Sequence, residues 1–228
     1  MKKLEEEIIN LKKLLLEMAV SVEEMITKSV KALKERNMIL AEEVIRSDDK
    51  VNKMEVEIDN LGIKILALYQ PEAEDLRTVT MIMKVNNDLE RIGDHAVNIA
   101  ERAIYLADKP PVKPLIDIPR MAERAMEMLG QSLDAFVNKN SELAIEVCKK
   151  DDEVDFLENQ ITRELLTYMI ADPSIIDRAI YLILVSRDLE RVADLATNIA
   201  EDAFYIASGK ILKHHTLEEK RSERGQAH

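Results

Sequence analysis

The sequence predicts an all-α fold in which an up-down three-helix bundle occurs twice in tandem, giving six long helices. Three observations carry this. The 228 residues are 46% hydrophobic and 33% charged with only 5 Gly and 6 Pro, a composition rich in helix formers and poor in turn formers. Four of the six prolines fall in DKPPVKPLIDIP (108–119), which no helix can cross because Pro lacks the amide donor and restricts its predecessor. The third observation is that the chain repeats itself across that break. DLERIGDHAVNIAE (88–101) returns as DLERVADLATNIAE (188–201), identical at ten of fourteen positions without a gap.

Each element follows from this frame. The spacing predicts helices near 4–46, 48–69 and 72–107 in the first half, and near 118–149, 151–171 and 173–208 in the second. The first turns are placed at SDD and KDD, where Ser or Asp can cap the helix that follows. DDKVNKMEVEI (48–58) aligns with DDEVDFLENQI (151–161), sharing Asp48/Asp151, Asp49/Asp152, Val51/Val154, Glu55/Glu158 and Ile58/Ile161. Pro71 and Pro173 suit the first turns of the third and sixth helices, with Asp172 as N-cap, and Gly209 is a C-terminal stop. Short connections make neighbouring helices antiparallel. The resulting organisation is a first repeat over 1–107, a Pro-rich linker over 108–117, a second repeat over 118–209 and a frayed tail over 210–228.

Composition also excludes function classes. A formal charge of −12 argues against a nucleic-acid partner, which needs clustered Lys and Arg, and fits a surface attracting cations or basic protein patches. Cys148 is the only cysteine, so no intramolecular disulfide or cysteine-based zinc site forms, and its expected role is apolar packing. MKKLEEEIINLKK turns acidic at once, unlike a signal peptide, and the longest apolar run, AIYLILV (179–185), is too short to span a bilayer. These features predict a soluble cytoplasmic protein without membrane insertion.

The repeated helix presents chemistry. Glu90, Asp94, Asn98 and Glu101 follow steps of four, four and three and occupy a stripe roughly 80° wide at roughly 100° per residue. Val85, Ile92, Ala96 and Ile99 form the opposite, bundle-facing stripe. Glu190, Asp194, Asn198 and Glu201 repeat the acidic row over Val185, Val192, Ala196 and Ile199. A solvated face is one reading. Against it, acids at i and i+4 repel each other by a few tenths of a kcal/mol, where an ordinary surface alternates signs. A merely solvated face would also drift after duplication, whereas the four residue types recur in register. Oxygen ligands spaced this closely suit a hard cation such as iron, manganese, magnesium or calcium.

Asp49 and Asp152 begin the adjacent helix in this reading and offer a further ligand, although capping explains them as well. Arg91 and Arg191 are expected to pair with Asp88 and Asp188 at i, i+3. His95 becomes Leu195 in the second copy and is not a shared ligand; His214, His215 and His228 lie in the tail. No histidine has a Glu three residues before it, as a di-iron helical centre requires, and no nucleophile–base set or Gly-rich phosphate loop occurs. An enzyme is therefore not expected.

At these residues the chain resembles the PhoU family of phosphate-uptake regulators, two three-helix repeats each carrying an acidic (E/D)xxxD signature. Here the signature is Glu90-Arg-Ile-Gly-Asp94 and Glu190-Arg-Val-Ala-Asp194, and the resemblance covers essentially residues 1–210. It implies a cytoplasmic, non-enzymatic negative regulator that contacts the high-affinity phosphate ABC transporter through its ATPase subunit, and the phosphate-sensing histidine kinase. It further implies a homodimer and metal ions, iron or another divalent or trivalent ion, on Glu90, Asp94, Glu190 and Asp194. The competing reading is a structural or interaction helical bundle without metal.

Overall fold

The computed structural model describes residues 2–212, so His214, His215, His228 and most of the expected tail lie outside the described residues. Six α-helices follow in order: α1 Lys2–Glu35, α2 Met38–Tyr69, α3 Ala73–Ala107, α4 Asp117–Asn138, α5 Ser141–Ala171 and α6 Ile176–Ser208. Among the described residues there is no strand. A single 3-10 turn, Pro173–Ile175, precedes α6, and Asp172 caps it by accepting from the Ser174 amide at 2.9 Å. Gly209 ends α6 with φ 68, a conformation that glycine adopts without steric cost.

The first turn of each repeat falls more than ten residues earlier than SDD and KDD. Asn37 accepts from the Leu40 amide, and Asn140 accepts from the Glu142 and Leu143 amides, so these asparagines are the N-caps. Arg36 and Lys139, at φ 58 and 51, supply the left-handed residue that closes the preceding helix. Asp49 and Asp152 consequently sit inside α2 and α5, not at helix starts. Pro71 likewise lies two residues before α3 rather than in its first turn. The reason is packing. Helices near 4–46 and 48–69 differ almost twofold in length, leaving half of the longer one unpaired, whereas α1, α2 and α3 span 34, 32 and 35 residues.

Within each repeat every helix packs against the other two, and the repeats join where α3 lies along α6 and α1 meets α4. The apolar stripe is where the heptad pattern puts it: Val85, Ile92, Ala96, Ile99, Val185, Val192, Ala196 and Ile199 are all buried. They share one buried cluster with Leu11, Leu15, Met18 and Ile26 of α1 and Ile58 and Ile65 of α2, where each large aliphatic side chain contributes about 1.5–3 kcal/mol by leaving water. Gly62 lets α2 approach α3 closely, since a Cβ there would fall 2.8 Å from Met83 Sδ. The proline stretch is tied down at its start: the Arg36 guanidinium donates to the Leu106 and Ala107 carbonyls, and Arg178 donates to the Pro110 carbonyl at 2.6 Å.

Candidate functional site

The two acidic rows lie on α3 and α6, and each is faced by further acids from the neighbouring helix of its own repeat. In the first repeat, burial raises Glu90 above the ordinary carboxylate value, and the charges of Asp94, Glu55 and Asp48 push it further. In the second, burial raises Glu190, and Asp194, Asp155 and Glu158 add to the rise against the opposing pull of Arg191. Asp48 is raised by burial first; Asn52 donates to its Oδ2 at 2.9 Å, and Asp94 and Asp49 repel it. The α2 residues Asp48 and Glu55 are seven apart and share a helix face. Their counterparts Asp151 and Glu158 hold the same positions on α5.

Asp49 and Asp152 are one residue, or about 100°, away from that face and are exposed. The acids that complete each row are therefore Asp48 and Glu55, and Asp151 and Glu158. Their signal was present in the sequence, because all four recur between the copies. Reading the aspartate pairs as helix caps drew attention to the wrong member. Asn98 and Asn198 are half-buried, as are Glu190, Asp194 and Glu201, while Asp94 and Glu101 are exposed.

The arginines diverge from the expected pairing. Arg91 Nη1 lies 3.8 Å from Asp88, but Arg191 turns to its own row, with Nη1 at 2.8 Å from Asp194 and Nε at 3.5 Å from Glu190. Asp188 is engaged instead across the seam between repeats, by the Arg102 guanidinium and by His95 Nδ1 at 3.0 Å. Burial foremost, with Arg91, Arg191 and Arg102 nearby, lowers the His95 pKa. His95 is therefore neutral near pH 7, and the contact is a hydrogen bond with Nδ1–H as donor rather than an ion pair. At the other end of the seam Lys84 Nζ reaches Asp202 at 2.6 Å, and burial together with Asp202 raises Asp88 to about 6.

At the second row the surface opens into a groove of about 330 Å³ between Arg91 of α3 and Arg191, Asp194, Thr197, Asn198 and Glu201 of α6, with Asp151 of α5 alongside. Cys148 is buried, and desolvation, with Glu201 and Asp151 adding, pushes its thiol up to about 12, so it stays protonated.

The donor set fits a hard cation. It consists of carboxylates and amides, several of the acids are raised by burial and by mutual repulsion that a cation would relieve, and the buried Asp48 Oδ1 has no hydrogen-bond partner among the described residues. Among the described residues no three acid, His or Cys side chains already converge as a coordination cage, so side-chain rotation would have to close the shell. Among them, too, no helix is long and apolar enough to cross a membrane.

Fold and rows together define a class: a duplicated three-helix protein with one oxygen-rich acidic surface per repeat. The chain belongs to the PhoU family, whose PhoU domain model matches residues 15–103 and 118–203. It is 47% identical over 218 residues to a protein of Aquifex aeolicus named phosphate-specific transport system accessory protein PhoU homolog, covering 96% of this chain and 99% of that one. Among solved structures, PhoU from Pseudomonas aeruginosa superposes with a TM-score of 0.88 at 37% identity, covering 90% of this chain and 99% of the other. The phosphate transport system regulatory protein PhoU from Streptococcus pneumoniae gives 0.85 at 28%, covering 92% and 99%.

Proposed function

We propose that this chain is a cytoplasmic regulator of phosphate uptake and phosphate homeostasis that restrains the high-affinity phosphate ABC transporter and phosphate-regulon signalling. It acts by protein contact, with the transporter's ATPase subunit and the phosphate-sensing histidine kinase as partners, and as a homodimer. The acidic rows hold iron or another divalent or trivalent ion through Glu90, Asp94, Glu190 and Asp194, supplemented by Asn98, Glu101, Asn198 and Glu201. Bound there, a metal would cancel charge repulsion and present a surface for docking. The role is regulatory rather than catalytic.

The observation that carries this reading is the recurrence, in register, of two acid rows each met by acids from the adjacent helix. Packing alone would need only the apolar stripe. The family relationship supplies the phosphate context.

The test compares wild type with Glu90→Ala/Asp94→Ala and Glu190→Ala/Asp194→Ala, measuring metal content by elemental analysis and ATPase-subunit binding by calorimetry. Metal is expected to fall in step with each pair, and ATPase affinity to weaken at least about tenfold, roughly 1.4 kcal/mol. Unchanged binding of both would overturn the reading. Loss of partner binding with no metal in wild type would favour the rows as bare docking surfaces.

A further inference from the structure

The groove at the second acidic row contains a group that cation binding does not use. Thr197 is only 6% exposed, and its Oγ1 has no hydrogen-bond partner among the described residues. A helical threonine ordinarily satisfies its hydroxyl on the carbonyl one turn back. Here Thr197 is one of the residues lining the groove, together with Arg91 from the first repeat and Arg191 from the second. The corresponding position in the first repeat is Val97, so the hydroxyl is particular to this groove.

Guanidinium groups from two helices and a desolvated hydroxyl are donors suited to the oxygens of a tetrahedral anion. The charge balance adds a condition. The lining also carries Asp151, Asp194 and Glu201, so an anion alone meets a net negative wall. A cation alone is drawn by these three carboxylates, with Arg91 and Arg191 opposing it. The two ligands together balance the groove, and the cation would draw Asp194 away from Arg191, freeing donors for the anion.

We propose that this groove binds a tetrahedral oxyanion of the phosphate class together with a divalent cation, Arg91, Arg191 and Thr197 donating to the anion while Asp151, Asp194 and Glu201 hold the cation. The inference rests on the cation reading above, and it makes this row, not the first, the place where phosphate is felt directly.

The test uses the full chain, with magnesium binding followed by calorimetry and inorganic phosphate binding by equilibrium dialysis in phosphate-free buffer. Magnesium is expected to bind alone, and phosphate to bind saturably only when magnesium is present. Arg91→Ala and Arg191→Ala should each weaken phosphate binding at least about tenfold while changing magnesium affinity less than about threefold. Both side chains are mostly exposed, so the variants should fold, which circular dichroism checks. Thr197→Val should weaken phosphate binding by about fivefold, and Val97→Thr should leave it unchanged. Magnesium binding without phosphate binding overturns this inference and leaves the cation reading standing. Absence of magnesium binding overturns this inference, and the cation reading falls with it only if elemental analysis also finds no metal on the rows. Phosphate binding indifferent to both arginine variants, or equal without magnesium, overturns the assignment to this groove.

Discussion

The seam between the repeats has two ends that began as copies of each other. Each is built on the same buried aspartate, Asp88 at one end and Asp188 at the other, 5% and 6% exposed. Asp188 meets Arg102 and a neutral His95, and its charge is matched. Asp88 meets Asp202, the residue that stands where Arg102 stands in the first copy, with Lys84 on Asp202 at 2.6 Å and Arg91 at 3.8 Å from Asp88. Duplication thus supplied the acid twice, and divergence supplied different answers to it. One end is a compensated pair, and the other sets two buried carboxylates, Asp88 and Asp202, against each other.

The largest effect should come from breaking the compensated end. Arg102→Ala leaves Asp188 buried against an uncharged histidine, and we expect a loss of about 3 kcal/mol in urea unfolding at pH 7. A loss below about 1 kcal/mol would mean that solvent reaches Asp188 and that the two ends are alike.

The two-carboxylate end should respond in the opposite direction. Asp88 has a folded-state pKa near 6, raised from 3.8 by burial and by Asp202. The folded state therefore holds this proton more tightly than the unfolded chain, and stability falls as pH rises between about 4 and 6. Asp88→Asn should be more stable than wild type at pH 8, by about 1 kcal/mol, with the gain vanishing by pH 4. If the variant is destabilised at both pH values, Lys84 and Arg91 compensate Asp88 fully and the asymmetry is wrong.

A smaller contrast separates the two hairpin caps. Asn140 accepts from two amides and Asn37 from one, so Asn140→Ala should cost about 1 kcal/mol and Asn37→Ala somewhat less. Thermal melts of the two variants rank them directly. A reversed order would show that fraying at Arg36 or Lys139, rather than the asparagine side chain, governs the turn.

Much of the molecule was legible from local patterns. The helices, their order, the stop at Gly209, the cap at Asp172 and the apolar stripe under each acidic row all follow from periodicity and turn chemistry acting over a few residues. The first turn of each repeat was not, because Arg36-Asn37 and Lys139-Asn140 contain neither Gly nor Pro and the helical pattern runs straight through them. The Asp pairs at 48–49 and 151–152 mimic a helix start more convincingly than the true caps do. Helix-length matching would have exposed the error, since a hairpin buries both partners only when they are of similar length.

The rows show the same division. That Glu90, Asp94, Glu190 and Asp194 share one kind of face is a consequence of the 3.6-residue repeat alone. That Asp48 rather than Asp49 meets the first row depends on how α2 rotates against α3, which core packing around Val51 and Ile58 decides. The seam is further still from local control. His95 meets Asp188 across 93 residues and Lys84 meets Asp202 across 118, separations that belong to no period in the sequence. By itself the sequence determined the helices, the duplication and the chemistry of the repeated face, because each is set within a few turns of one helix. Only the tertiary structure decided which charges are buried against which, because that follows from how two separately formed bundles pack along α3 and α6.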